Sequence, residues 1–223
     1  MPKLVNLLNK NIMTLIVALP KNDPEMAAAA VAAGVDGLQL HLNHANFGSF
    51  VEEKKNLEKI VKQVKVPVGI VPGSKISASE EEMKEMVKMG FDFFNMDLTY
   101  LPPFMLSLKT ISKVLALNSK FTMDKLIGLG NLGADALDAA IIPVSEWRKE
   151  MVVGDLQNYI SIVISAGIPV IIPTQRSLRT SEVAIISDTG AKGLLLTSVV
   201  MGNTIKSIEK AVKEFKQAAD ELE

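Results

Sequence analysis

The sequence predicts a closed (β/α)8 barrel, the TIM-barrel class of α/β fold, as a single domain over residues 1–223, and three observations carry that prediction. Short apolar runs alternate with amphipathic stretches along the whole chain, giving eight strand–helix pairs. Glycine closes many of the amphipathic stretches, at Gly34, Gly90, Gly133, Gly167 and Gly190, as expected where a left-handed residue ends a helix. The chain also repeats itself: LIVALPKNDPEMAAAAVAAGVDGLQL parallels KVLALNSKFTMDKLIGLGNLGADALD, and PVGIVPG…MKEMVKMGFDFFNMD parallels PVIIPTQ…VAIISDTGAKGLLLTS. Two half-barrels of four units each would produce this. The main alternative, a doubly wound open sheet, lacks the G-x-G-x-x-G expected after its first strand.

The first strand is LIVAL (15–19). It is expected to be a buried strand rather than a secretory signal, because Asn9, Lys10 and Asn11 separate it from the leucines upstream and no small-x-small cleavage site follows. Nor does it approach the ~20 apolar residues that span a bilayer. PEMAAAAVAAG follows as a helix, then the strand GLQLHL (37–42), the charged helix FVEEKKNLEKIVKQV and the strand PVGIV (67–71). SASEEE reads as a capped helix start, leading through SEEEMKEMVKMG to the strand DFFNMDL (92–98). PPFMLSLKTIS and TMDKLIGLGNLG are the predicted helices on either side of the strand KVLAL (113–117). ALDAAII (136–142), LQNYISIVISAG, PVIIP (169–173), TSEVAIISDTG and GLLLTS (193–198) complete the alternation, and the terminal stretch NTIKSIEKAVKEFKQAADELE closes it with an apolar stripe.

Composition narrows the function. Hydrophobic residues make up 48% and charged residues 22%, a globular balance that excludes a disordered chain. The net charge of −1, from 24 basic and 25 acidic side chains, gives no footing for a nucleic-acid or membrane-surface partner. There is no cysteine, hence neither disulfide nor thiolate metal site, which fits a cytoplasmic protein. Self-association into a homo-oligomer is left open.

The candidate site follows from side-chain alternation. Outward strand residues of a barrel must be apolar to lie beneath helices, so inward residues near the strand C-termini form the site. In GLQLHLN, Leu38, Leu40 and Leu42 go outward and Gln39, His41 and Asn43 inward. Phe94, Met96 and Leu98 likewise pack outward, leaving Asn95, Asp97 and Thr99 inside, and Asp138 points in from ALDAAII. The plainest reading of such groups is a hydrogen-bonded interior network. His41 and Asp97, at the ends of their strands, are the better candidates for acid–base chemistry, with Asp138 a third. Gln39, Asn43 and Asn95 would orient hydroxyls.

After the seventh strand, TQRSLRTSE offers Gln175, Arg176 and Ser177, in a segment holding two of the chain's three arginines, and after the eighth come Thr197 and Ser198. An arginine fork with hydroxyls and free backbone N–H groups suits a phosphate. The same segment is also an ordinary helix cap on a solvated loop. The expectation is no cofactor; a divalent metal would need His41, His44 and Asp97 together, and the H-E-x-x-H spacing is absent.

On AGVDGLQLHLN, FFNMDLT, PVIIPTQRSLRTSEVA and GAKGLLLTSVVMGN, the chain resembles the ribulose-phosphate-binding barrel group, nearest to the N-acetylmannosamine-6-phosphate 2-epimerases. The resemblance implies a small phosphorylated metabolite as partner and an active-site role for Asp97. It departs from that pattern at Pro72, where the epimerases have a lysine, at Gln39, where they have an arginine, and at Thr174 or Gln175, where they have a glutamate. It also departs at Thr197, where they have a glycine. Loss of the lysine and glutamate removes the pair expected to move protons, so the same residues cannot run that epimerisation. The leading expectation is an isomerase or epimerase acting by proton transfer. A Schiff-base aldolase, with Lys75 or Lys120 as the nearest lysines, and a non-catalytic phosphate-binding barrel are the alternatives.

Overall fold

The computed structural model describes residues 3–44 and 46–222. Eight parallel strands close in sequence order, β1 back to β8. They are β1 (Thr14–Ala18), β2 (Gly37–His41), β3 (Val68–Val71), β4 (Phe93–Asp97), β5 (Ser112–Ala116), β6 (Ala136–Asp138), β7 (Val170–Pro173) and β8 (Gly193–Leu196).

The predicted alternation is present. Leu38, Leu40, Phe94, Met96, Leu137 and Leu194 join the layer beneath the helices. A separate inner cluster holds Ile16, Phe93, Val114, Ala136, Ile171 and Leu195. At Gly69 a Cβ would sit 2.1 Å from the Phe93 ring, so the glycine's missing side chain is where that ring lies. Small and large interior residues are thereby matched across β3 and β4.

Helix α1 (Lys3–Lys10) was not anticipated. Its leucines Leu4 and Leu8 insert into the inner cluster and close the bottom of the barrel. The Asp92 carboxylate accepts hydrogen bonds from the backbone N–H groups of Lys3 and Leu4, both at 2.8 Å, and so satisfies the helix start.

The outer helices of the first half are α2 (Pro24–Ala32), α3 (Phe50–Gln63) and α4 (Glu80–Met89). Asp23 caps α2, and Ser79 exchanges hydrogen bonds with Glu82 at the start of α4. In the second half, α5 (Pro103–Leu106) is a single turn, and α6 (Val153–Ala166) and α7 (Val183–Asp188) follow, with α8 (Ser198–Met201) and α9 (Ile205–Asp220) at the end.

Three predictions need correction. The stretch TMDKLIGLGNLG forms two 3-10 turns, Met123–Leu126 and Gly130–Leu132, rather than an α-helix. Three glycines interrupt it, and Gly128 and Gly133 take positive φ angles of 80° and 85°, which end a helix rather than continue it. PPFMLSLKTIS stops after one turn, with Thr110 at φ 67°. ALDAAII yields only three strand residues.

The internal repeat has a structural counterpart. Asp36, before β2, accepts a hydrogen bond from Leu15 N at 2.8 Å, and Asp135, before β6, accepts one from Lys113 N at 2.8 Å. Leu15 and Lys113 open the two matched segments, so each half ties its first two strands together by the same bond. The residues just before them, Thr14 and Ser112, both bury hydroxyls without partners inside the barrel.

Candidate active site

The polar groups of β2, β4 and β6 meet on the barrel axis. Gln39, Asn95 and Asp138 are each only 4% exposed. Asn95 Nδ2 donates to Asp138 Oδ2 at 2.6 Å and to Gln39 Oε1 at 2.9 Å. Because an ionised carboxylate only accepts, the first bond orients the Asn95 amide, and the second then orients Gln39. Gln39 Nε2 is left facing His41 Nε2 at 3.5 Å, which makes that ring nitrogen the acceptor and puts the proton of the neutral ring on Nδ1. Three buried atoms of this site have no partner among the described residues: Asn95 Oδ1, Asp138 Oδ1 and His41 Nδ1.

Above them opens a cavity of about 460 Å³ lined by Gln39, His41, Asn95, Asp97, Asp138 and Gln175 among others. Its rim carries His44, Lys75, Tyr100, Val144 and Trp147. Burial raises the Asp138 carboxyl from 3.8 to about 6, against the opposing bond from Asn95. Burial, aided by the neighbouring His44, lowers His41 to about 4, so the ring is neutral near pH 7. Phe47 packs on that ring with centroids 4.9 Å apart.

Asn22 and Asn118, two asparagines singled out by nothing in the sequence, build the walls. Asn22 brackets the His41 backbone, donating to its carbonyl at 2.8 Å and accepting from its N–H at 3.2 Å. It thus extends strand pairing beyond the end of β1. Asn118, after β5, donates to both Asp97 oxygens at 3.1 and 2.9 Å, while Thr99 N donates to Oδ1 at 2.7 Å. Asp97 therefore sits at the wall of the cavity as a held carboxylate, and it also borders an adjoining recess of about 380 Å³ with Lys120 and Lys125. Asn118 lies in an N-S-K turn whose side chain also accepts from Lys120 N, a pattern indistinguishable in sequence from any loop.

The expected phosphate grip is not built as the sequence suggested. Arg176 turns away from the cavity and forms a two-pronged pair with Asp155, at 2.9 and 3.1 Å, plus a contact to Glu146. Its charge is neutralised by these partners, which no local pattern reveals because they lie 21 and 30 residues away. Ser177 is exposed and lines none of the cavities described. Thr197 spends its hydroxyl on Thr174 O and on Val199 N. Asn43 does not point inward: it adopts a left-handed turn at φ 51°, and its amide ties the loop after β2 to Pro72 O at 3.2 Å.

Gln175 does reach the cavity, held by Ile142 N at 3.0 Å. Ser198 lines a neighbouring recess of about 370 Å³ with Lys21 and Asn203, and His41, His44 and Trp147 border both this recess and the main cavity. Among the described residues, no three His, Cys, Asp or Glu side chains gather as a metal cluster, and no helix is long and apolar enough to cross a membrane.

Fold and site together define a (β/α)8 barrel with a polar cavity at the C-terminal ends of its strands. No protein-family model and no curated protein matches the sequence. The solved structures similar to it include (β/α)8-barrel enzymes of the ribulose-phosphate-binding kind. The thiamine phosphate pyrophosphorylase from Pyrococcus furiosus superposes with a TM-score of 0.70 at 15% identity, over 95% of this chain and 97% of that one. The N-acetylmannosamine-6-phosphate 2-epimerase from Clostridium perfringens gives 0.64 at 16%, over 96% and 95%. The phosphoribosyl anthranilate isomerase from Thermus thermophilus gives 0.66 at 13%, over 92% and 99%. At these identities the likeness is one of fold.

Proposed function

We propose that the chain is an isomerase- or epimerase-type enzyme that moves a proton on a small, hydroxylated, phosphorylated metabolite. The observation that carries this reading is the Asp138 carboxyl on the cavity floor, with one oxygen held by Asn95 and the other without a partner among the described residues. With its carboxyl raised to about 6, Asp138 is mostly ionised at neutral pH yet basic enough to take a proton.

In this reading Asp138 removes a proton from carbon next to a carbonyl, and the charge developing on the carbonyl oxygen is met by the N–H of neutral His41. In an isomerase the carbonyl oxygen takes the His41 proton, the adjacent hydroxyl gives its own proton back to that ring nitrogen as it becomes the new carbonyl, and Asp138 returns the carbon proton to the former carbonyl carbon. In an epimerase the opposite face takes a proton from a second group that is protonated from solvent, a role open to Asp97, which lines the same cavity. Asn95 Oδ1 and Gln175 receive and orient substrate hydroxyls. With Arg176 committed elsewhere, the anionic end falls to Lys21, Ser198 and Asn203 in the adjoining recess.

Solvent-deuterium incorporation into a panel of sugar phosphates tests the proposal. Incorporation is expected with the unaltered chain and is lost in Asp138→Asn. Exchange that persists in that variant removes Asp138 as the base, and no exchange across the panel rejects the enzyme assignment. The lyase alternative rests on Lys75, which lines the main cavity, and borohydride trapping with carbonyl substrates would label it.

A further inference from the structure

Helix α6 differs from the other long helices. Of the described helices with eight residues or more, it is the one whose exposed residues include no charge; its one carboxylate, Asp155, is buried against Arg176. Instead Val153, Gln157, Ile160 and Ile164 follow one another along its outer side at helical spacing, and the three aliphatic residues are 72%, 41% and 77% exposed. Beside α6 lie the 3-10 turns that replaced the expected fifth helix, with Gly130 against Ile168 just past the α6 end. They add Ile127 and Leu132, also strongly exposed, on the turns that neighbour α6.

These five side chains leave about 600 Å² of mostly apolar surface, the upper end of the roughly 300–600 Å² that monomers expose in one patch. By contrast Val51, equally exposed on α3, stands among Glu52, Glu53 and Lys55. A single apolar residue among charges needs no explanation, whereas an uncharged helix face does.

We propose that this face is where two copies of the chain meet, α6 packing antiparallel on α6 of the second copy across a twofold axis. A face without charge meets its own image free of like-charge repulsion, and the net charge of −1 adds almost none between whole chains. Doubled, the patch reaches about 1,200 Å², the lower bound of the roughly 1,200–2,000 Å² buried by stable interfaces. The stripe is centred between Asn158 and Tyr159. The twofold therefore sets Val153 against Ile164 of the second copy and Gln157 against Ile160. Gln157, on the stripe itself, is the exposed polar residue that faces the axis. Because α6 runs from the barrel mouth towards its base, the two cavities open at opposite ends of the dimer and neither is covered.

Sedimentation equilibrium on the full chain tests this, and the absence of cysteine gives a clean cross-linking background. The unaltered protein is expected at twice its 24.2 kDa chain mass. Ile164→Lys should weaken dimerisation at least 100-fold with an unchanged circular dichroism spectrum, while Val51→Lys stays dimeric. Gln157→Cys should form a disulfide-linked dimer on mild oxidation. A chain that is monomeric at 100 μM, whether its face is bare or taken by another protein, overturns the proposal. So does an Ile164→Lys variant that remains dimeric, or a Gln157→Cys variant that does not cross-link. None of these readouts depends on catalysis.

Discussion

Replacing Asp138 by asparagine changes one oxygen for one nitrogen on the barrel axis and removes a titration. The folded carboxyl titrates at about 6 against an ordinary 3.8, and at about 1.4 kcal/mol per pH unit that gap amounts to about 3 kcal/mol. The folded state holds this proton more tightly than the unfolded state does. The associated stability is therefore complete below pH 3.8 and is lost as pH rises to about 6. His41 works in the opposite direction. Its folded value of about 4 lies below the ordinary 6.5, so stability is present above 6.5 and lost as pH falls towards 4. The ring is half-buried, and the amount is about 2–3 kcal/mol. The two slopes largely cancel in the unaltered protein between pH 4 and 6.

Asp138→Asn unmasks the histidine. The variant keeps an oxygen to accept the 2.6 Å bond from Asn95, and its stability relative to the unaltered chain should rise by about 3 kcal/mol between pH 4 and pH 7. Urea unfolding at unit pH steps measures that difference directly. A difference constant across the range would show that Asp138 titrates normally, and the account of the cavity floor would fail with it.

Two further outcomes bear on the structure. Arg176→Met leaves Asp155, 6% exposed, without its counter-charge, and should cost about 3–5 kcal/mol in chemical denaturation. Because Arg176 does not line the main cavity, any deuterium exchange should survive below the unfolding transition, and its selective loss would restore the arginine to the site. Gly69→Ala puts a methyl group 2.1 Å from the Phe93 ring. It should destabilise by at least about 3 kcal/mol and be partly rescued by Phe93→Leu; simple additivity of the two changes would refute the close fit.

The barrel itself was legible because hydrophobic periodicity is local. Leu38, Leu40 and Leu42 can only lie beneath helices if Gln39 and His41 face the axis, and that alternation follows from two-residue strand geometry alone. The same rule brought Asn95, Asp97 and Asp138 into the interior. It failed two residues past the strand end, where Asn43 turned left-handed and the alternation no longer applied. Helix α1 escaped notice because its two buried leucines match no neighbour in sequence; only the barrel's open base gives them a place.

Which polar groups are free and which are spent is a question of distant partners. Arg176 read as an anion hook until Asp155 and Glu146 took its charge, and Asn118 read as a loop residue until it closed on Asp97. A sequence determines directions along an element, since those depend on bonds to the next few residues. The pairing of charges and amides across 20 or more residues is decided by how strands and loops converge in space, and that convergence turned three inward polar residues into a floor with one carboxyl oxygen unmatched.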